Sequence, residues 1–446
     1  MKNPSPRLTT GPIGRTVILF ALPLILGNFF QQMYNTVDSL VVGNFIGSDA
    51  LAAVASSGHT TFLVIGFLQG VFVGAGVIIA RWYGAQNREQ VLCSIHTTVC
   101  LALLAGLSLS ILGVLFSPWV LRIMGTPPSV MPSALVYFRI YFAGLLSAVL
   151  YNCANGILQA LGDSRHPLYY LIFSSVANVL LDLLFVIAFG WGVAGVAWAT
   201  VLSQAASAAL GFRHLMRADA EYALSLKLLR LDLPMLKSIL HMGIPSGLQN
   251  SIIAFANMVV QAHINSFGAM AVAGSGTFLK LEGFAFIPIS SFALSITTFI
   301  SQNMGAGQAD RARRGARFAL LTGAVLSESL AMALRFAAPS LIGAFNGTPE
   351  VVRFGVMQAM ISTPFYFLPA LSHCMAGILR GLGKAIVPMV VMLLCWCVIR
   401  VTYLEILMPM HHDIRILYAV YPFTWTLSTT ALLWCFRRIR WDNNSR

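Results

Sequence analysis

Two stretches of the chain, NCANGILQALGDSRHP at residues 152–167 and HCMAGILRGLGKAIVP at residues 373–388, are near copies of each other. Their shared Gly-Ile-Leu tripeptide, the glycine that follows it and the closing proline recur at a constant separation of 221 residues, so that Pro167 matches Pro388. Other pairs recur at the same or a one-residue different separation: Pro23 with Pro245, Gly47 with Gly268, Gly84 with Gly305, and Gly125 with Gly347. The sequence therefore predicts two homologous halves.

The composition places both halves in a membrane. Of the 446 residues, 57% are hydrophobic and 10% charged, and the mean hydropathy of +0.78 lies far outside the range of soluble domains. Continuously apolar segments of about 20 residues, long enough to cross the hydrocarbon core as helices, recur throughout, whereas barrel strands would alternate. We place twelve spans at 15–40, 55–80, 92–116, 134–158, 168–190, 193–213, 238–262, 276–300, 316–338, 355–379, 386–408 and 415–436.

These segments predict an all-α polytopic membrane protein with twelve transmembrane helices in two pseudo-twofold-related six-helix bundles. Because each half holds an even number of spans, both halves insert in the same orientation and are related by an axis along the membrane normal, with substrate between them. We divide the chain into an N-terminal bundle at 1–212, a cytoplasmic linker at 213–237 and a C-terminal bundle at 238–446. The linker is either an amphipathic interfacial helix or a plain tether.

The positive charge is distributed as in a membrane protein. The net charge is +13, yet no Lys or Arg occurs between Arg15 and Arg81, and the termini and even-numbered loops carry 21 of the 28 Lys and Arg residues. This positive-inside bias predicts a multi-pass protein of the cytoplasmic membrane with both termini cytoplasmic. It also makes a nucleic-acid partner an unnecessary explanation.

Glycines at Gly66, Gly70 and Gly74 repeat every four residues along one face of the second span. Small residues at this spacing allow helices to approach closely. We therefore assign these glycines to helix packing.

The first span carries a polar stripe. Asn28, Gln31, Asn35 and Asp38 follow helical spacings of three, four and three, and Tyr34 lies at the edge of the stripe. An acid at the centre of a bilayer costs about 2.5 to 3.5 kcal/mol on insertion scales. The stripe is therefore expected to face a cavity or other helices.

A second acid occurs in the fifth span, where Asn178 and Asp182 lie four residues apart, and the sixth span adds Thr200. Polar groups in membranes often satisfy one another as contacts between helices, which is the structural interpretation. Two aspartates on different helices, Asp38 and Asp182, cannot pair unless a proton or cation lies between them. This favours a functional site that binds H+ or Na+.

The second half has a polar face in its own first span, with Asn257 and Gln261, but no acid there. Among the ionisable residues within its spans, Glu282 can pair with a neighbouring helix, and Glu328 and Arg400 are a candidate pair. We interpret Asn257, Gln261 and Glu282 as structural or substrate-lining.

The first span, QQMYNTVDSLVVGNFIG at 31–47, and the doubled segments GILQALGDSRHP and GILRGLGKAIVP together resemble the multidrug and toxic compound extrusion (MATE) transporters. The resemblance covers essentially the whole chain. It implies efflux of organic cations or other amphipathic compounds, driven by inward H+ or Na+. It also departs from one branch of the family, because the seventh and tenth spans here hold no acid.

The resemblance also implies residue roles. It assigns the cation or proton site to Asp38, Asn178, Asp182 and Thr200, so that any bound Na+ would lie there. It also matches Tyr34, Tyr137 and Asn155 to residues of the same N-terminal site. We assign to the surroundings of the substrate Gln31, Tyr34, Asn35, Tyr137, Asn155, Asn257, Gln261 and Glu282. Pro23, which removes a helix hydrogen bond in the first span, is the expected hinge.

Two other classes of protein are alternatives to a multidrug transporter: a flippase or lipid exporter, and an enzyme. A flippase or exporter of a lipid or lipid-linked oligosaccharide shares this architecture but would need cations in its central cleft. An enzyme would need a nucleophile, a metal site or a nucleotide motif, and the GLGKA segment has Ile378 and Ala385 where a P-loop requires Gly and Ser or Thr. We therefore expect a transporter and not an enzyme. We expect it to be a monomer with no cofactor other than its coupling ion. Exchange of substrate for cation across a membrane would distinguish it from a channel or a receptor.

Overall fold

The computed structural model describes residues 8–41, 48–217, 222–439 and 441, with side chains described except at 35, 37–41, 48–60 and 62. Within these residues the chain is helical and contains no strand. Asn35 and Asp38 therefore lie outside the described side chains. The backbone at both positions belongs to the first helix.

Most of the helices are long enough to cross a bilayer. They are α1 Ile13–Val41, α2 Ser48–Gly84, α3 Arg88–Ile123, α4 Met131–Ala143, α5 Leu145–Ala160, α6 Arg165–Leu183, α7 Gly192–Arg217, α8 Leu233–Asn265, α9 Ala269–Gly305, α10 Ala309–Phe345, α11 Pro349–Ser362, α12 Phe367–Gly381, α13 Ile386–Met392, α14 Arg400–Met410 and α15 Ile414–Arg437. Short π-helical segments continue α6 at Leu184–Ala188 and join α13 to α14 at Leu393–Ile399. Single 3₁₀ turns lie at Leu226–Leu228 and Thr363–Phe365.

The predicted spans map onto these helices. In the part of the chain that the structure describes, nine helices are individually long and apolar enough to span, and two bent pairs raise the number to eleven. The predicted span that is not among these eleven is the seventh in chain order, which corresponds to α8. Its five amide side chains lower its hydropathy. The all-helical membrane fold is confirmed, and α8 as the twelfth span stays a prediction.

Two of the spans are bent rather than straight. The fourth bends by 46° between α4 and α5, and the tenth by 53° between α11 and α12. At the first bend, a Cβ added to Gly144 would lie 2.3 Å from the side chain of Val201 on α7. Only glycine fits where this bend packs against its neighbour.

The chain forms two compact units, one of residues Leu22–Gly247 and one of Leu8–Ala21 with Leu248–Arg446. Helix α1 therefore begins in the second unit and continues in the first, whereas α8 begins in the first unit and continues in the second. The division at 213–237 expected from the sequence stays a prediction. Within the second unit, the N-terminal segment is held by Arg311, which donates to the carbonyl oxygens of Gly11 at 2.7 Å and Thr10 at 2.9 Å.

In the first unit, the start of α8 packs closely on α2. A Cβ added to Gly70 or Gly74 would lie 2.4 Å from the backbone of Gly247 or Gly243, respectively. The packing role predicted for these two glycines is confirmed. An added Cβ on Gly66 would meet no heavy atom of the described residues within 4 Å, so the close approach does not extend to it.

The middle of the linker does not form an amphipathic helix. Residues 222–232 contain only the single turn at Leu226–Leu228. Two of the linker's backbone N–H groups bond to α3: Ser225 donates to His96 Nε2 and Asp232 donates to Thr97 Oγ1, both at 3.3 Å. The alternative of an interfacial helix is therefore wrong for these residues.

Candidate cation site and a buried arginine cluster

The junction of α6 and α7 brings three of the predicted site residues together. Asn178 and Asp182 lie one turn apart on α6, and both are fully buried. Thr200 on α7 is also buried, and its hydroxyl oxygen accepts a hydrogen bond from Asn178 Nδ2 at 3.5 Å. The same hydroxyl donates to the carbonyl of Val196 at 3.1 Å, which fixes its lone pairs toward Asn178.

This junction has capacity for a small cation. The carbonyl oxygen of Asn178 is buried and makes no hydrogen bond to any described residue. An amide oxygen, a hydroxyl oxygen and a carboxylate are hard oxygen ligands, the type that alkali and alkaline-earth cations take. Since a buried ionised carboxylate is costly without a counter-charge, Asp182 favours either a proton or a bound cation here.

The first-span stripe is described only in part. Gln31 is exposed and Tyr34 half-buried on α1, while Asn35 and Asp38 are outside the described side chains. The approach of Asp38 to Asp182 therefore stays a prediction. Pro23 lies inside α1, which is uninterrupted from Ile13 to Val41, and its role as a hinge likewise stays a prediction.

The fourth-span residues lie in the same unit. The buried ring of Tyr137 stacks on Tyr141, with centroids 6.1 Å apart, and the Tyr141 hydroxyl interacts with Gln204, one turn after Thr200 on α7. Asn155 is half-buried and interacts with the Tyr151 hydroxyl. Their substrate-lining role remains untested.

The second unit has a different centre, the guanidinium of Arg400, which is 1% exposed. Its Nη1 donates to Asn257 Oδ1 at 3.2 Å and its Nη2 donates to Thr424 Oγ1 at 3.0 Å. The guanidinium carbon also lies 5.2 Å from the ring centroid of Trp396 and 5.1 Å from that of Tyr421. Aromatic faces at this distance stabilise a cation.

The charge of Arg400 has an acidic counterpart in Glu282. This carboxylate accepts a hydrogen bond from the Tyr366 hydroxyl at 2.5 Å and interacts electrostatically with Arg400. A buried arginine is tolerable only when its charge and N–H groups are largely satisfied. We call Arg400, Glu282, Tyr366, Asn257 and Thr424 the arginine cluster.

The expected pair of Glu328 with Arg400 is wrong. Glu328 Oε2 instead accepts the backbone N–H of Phe367 at 3.0 Å. Phe367 is the first residue of α12, just after the bend of the tenth span, and its N–H has no carbonyl partner within the helix. Glu328 therefore caps a broken helix inside the membrane.

Of the site residues predicted in the second half, two belong to the arginine cluster and one does not. Glu282 and Asn257 belong to the arginine cluster, whereas Gln261 Nε2 donates to Asn265 Oδ1 at 3.0 Å along α8. Sequence reasoning missed Arg400 as the centre of the cluster. The available signal was that an arginine in an apolar span requires an acid within reach, and the predicted spans of the second half hold three acids, Glu282, Glu328 and Glu405.

A membrane protein with two six-span helical repeats and buried polar clusters within its spans has the construction of a secondary transporter. The family model described as MatE matches residues 23–184 and 245–404, one segment in each half. The chain belongs to the multidrug and toxic compound extrusion (MATE) family, whose members are transporters and not enzymes.

Relatives and solved structures agree with this membership. The chain is 30% identical to the "Probable multidrug resistance protein YpnP" of Bacillus subtilis over 88% of each chain. It is 26% identical to the "FAD transporter" of Shewanella oneidensis over 78% of this chain and 77% of the relative. A crystal structure of MATE in the bent conformation has the same fold, with a TM-score of 0.91, 98% coverage of each chain and 21% identity.

Proposed function

We propose that this transporter is a secondary antiporter that exports organic cations, drugs or other amphipathic compounds in exchange for inward H+ or Na+. The buried contact of Asn178 with Thr200, one turn from the buried carboxylate of Asp182, is the observation that carries the proposal. Asp38 completes this site in the proposal. We place the protein in the cytoplasmic membrane as a monomer with both termini cytoplasmic, on the charge distribution of the loops.

The mechanism follows from charge neutralisation. A proton or Na+ entering the site neutralises one of the two carboxylate charges, which removes the repulsion between two negative charges in a low dielectric. The first helix then repacks about Pro23, and the substrate is released outward. Each net positive charge that enters supplies about 2.3 kcal/mol per 100 mV, enough for between tenfold and a hundredfold gradient of an uncharged substrate. In a one-for-one exchange with a monovalent organic cation, the concentration gradient of the coupling ion alone drives export.

The test is transport in proteoliposomes with a fluorescent organic cation. An imposed pH or Na+ gradient should drive dye against its own gradient, and dye added on the opposite side should in turn move the coupling ion. Asp38→Asn should abolish both movements. The matched control is Ser174→Ala on α6, because the Ser174 hydroxyl is satisfied locally by the Leu171 carbonyl at 3.2 Å. Gradient-driven transport at the wild-type rate by Asp38→Asn would refute the proposal.

A second candidate substrate is an anionic aromatic compound. One relative is named an FAD transporter, which favours a phosphate-bearing compound with a flat ring system. The flippase alternative needs an accessible cation, and Arg400 does not supply it, because its guanidinium is 1% exposed and already bonded to Asn257 and Thr424. Competition of FAD or of a lipid-linked phosphate with the dye in the same vesicles distinguishes these substrates from organic cations.

A further inference from the structure

A cluster of ligand-type side chains lies away from both polar centres, at the ends of α6 and α7 that the charge distribution places in the cytoplasm. Asp163 is in the turn between α5 and α6, His166 is the second residue of α6, and His214 is in the last turn of α7. Their ligand atoms all lie within 4.8 Å of one another. Nothing in the transport proposal uses them.

The three groups converge on one carboxylate oxygen. Asp163 Oδ2 lies 2.5 Å from His166 Nδ1 and 3.8 Å from His214 Nε2. The two imidazole rings are in contact, with centroids 4.0 Å apart. The exposed fractions of the side chains are 11% for Asp163, 42% for His166 and 30% for His214, so an ion can reach the cluster from solution.

The carboxylate is held in place from behind. Its other oxygen, Oδ1, accepts the backbone N–H groups of Arg165 at 3.0 Å and His166 at 3.1 Å. Hydrogen bonds of this kind orient a metal-binding carboxylate and strengthen metal binding. Oδ2 therefore points at the two histidines by construction of the turn, and the site does not depend on a chance side-chain conformation.

We propose that Asp163, His166 and His214 form a Zn²⁺ site. Two imidazoles and one carboxylate are an established ligand set for this metal, with water completing the coordination. Bonds of about 2.1 Å place neighbouring ligand atoms about 3.0 to 3.4 Å apart, between the 2.5 Å and 3.8 Å separations observed. Binding replaces the hydrogen bond between Asp163 and His166, and each of these two separations needs to change by less than about 1 Å.

The duplicated architecture does not require this cluster. At the separation of 221 residues, the second half has Lys384 in place of Asp163 and Val387 in place of His166. The ligands are therefore an addition specific to the first half. They lie on the two helices of the candidate cation site, with His166 about 18 Å along α6 from Asn178 and His214 about 21 Å along α7 from Thr200. Bound zinc would clamp the cytoplasmic ends of these helices together.

The experiment is a direct measurement of metal binding on the full chain, purified in detergent without a polyhistidine tag and stripped with chelator. Equilibrium dialysis against Zn²⁺ should give one saturable equivalent per chain. The variants His166→Gln and His214→Gln should each weaken binding at least tenfold. Asp163→Asn should do the same while keeping an acceptor for the Arg165 and His166 N–H groups. The matched control is His241→Gln, an exposed histidine on α8 that should bind as wild type.

Cobalt provides an independent readout. Co²⁺ at the site should show the intense visible absorption of four-coordinate cobalt in wild type and lose it in His214→Gln. A melting temperature raised by Zn²⁺ in wild type and unchanged in the histidine variants would add support. Absence of a saturable equivalent at 100 µM free Zn²⁺, or equal binding by the wild type and the His166→Gln/His214→Gln double variant, would overturn the proposal.

Discussion

The two units place polar groups at equivalent helix junctions but with opposite chemistry. In the first, Asn178 of the fifth span contacts Thr200 of the sixth; in the second, Arg400 of the eleventh span contacts Thr424 of the twelfth. Asn178 and Arg400 are separated by 222 residues, as are Pro23 and Pro245. The duplication has therefore kept the location of a polar contact while its charge has changed.

The difference separates an exchangeable cation from a permanent one. Arg400 brings its positive charge on its own side chain and satisfies it with Glu282, Asn257 and aromatic rings. Asn178 brings no charge, and its carbonyl oxygen has no hydrogen-bond partner among the described residues. We infer that the second junction is a fixed structural centre, whereas the first is the one at which an ion can enter and leave.

The largest expected effect compares one acid from each junction. Asp182→Asn should lower gradient-driven transport at least a hundredfold, because an amide neither binds nor releases a proton and binds Na+ weakly. Glu282→Gln should keep the dependence on the gradient, since its partner Arg400 supplies a charge that does not exchange. Initial rates with and without an imposed pH or Na+ gradient measure both. Equal loss of coupling in the two variants would remove the distinction.

The next effect is on stability and concerns Arg400. Arg400→Met removes the cation and leaves Glu282 without its counter-charge, which should cost about 3 to 5 kcal/mol of folding free energy. Thermal or denaturant unfolding of the purified protein measures this loss. The double variant Arg400→Met/Glu282→Gln should recover part of it, because the abandoned charge is also removed. A double variant no more stable than Arg400→Met would show that packing, not charge, holds the cluster.

The sequence predicted the fold better than the sites, for a physical reason. The length of the apolar segments indicates a membrane protein, and the repeat between residues 152–167 and 373–388 indicates a duplication. Both are visible in the order of residues along the chain. Partners of buried charges depend instead on which helix faces meet. The pair of Asn178 with Thr200 was within reach because both lie in adjacent spans, while the partner of Arg400 was not, since Glu282 is 118 residues away. The capping role of Glu328 was equally hidden, because the bend that frees the Phe367 N–H is a tertiary feature.

A smaller effect distinguishes Glu328 from an ion-binding acid. Glu328→Ala leaves the Phe367 N–H without its acceptor and should cost about 1 to 2 kcal/mol of stability, the range for losing a helix cap. Glu328→Gln keeps an acceptor oxygen and should lose less. Neither variant should change the ratio of transport rates with and without a gradient. A change in that ratio would make Glu328 a third acid of the transport cycle and weaken the contrast between the units.

The smallest effects come from the two threonines, and they test the comparison most closely. Thr200→Val and Thr424→Val remove one hydroxyl each from a buried site with little change of volume. Each should cost about 1 kcal/mol of stability, the net value of a buried hydrogen bond, so unfolding alone does not separate them.

Transport measurements should distinguish the two threonine variants. If Thr200 is an ion ligand, Thr200→Val should raise the Na+ or H+ concentration for half-maximal transport about fivefold, equivalent to about 1 kcal/mol. Thr424→Val should leave that concentration unchanged, because its hydroxyl bonds only to a guanidinium that stays in place and to its own helix. Thr200→Ser, which restores the hydroxyl, should return the half-maximal concentration to that of wild type, whereas the same shift in Thr424→Val would mean that both junctions take part in ion exchange.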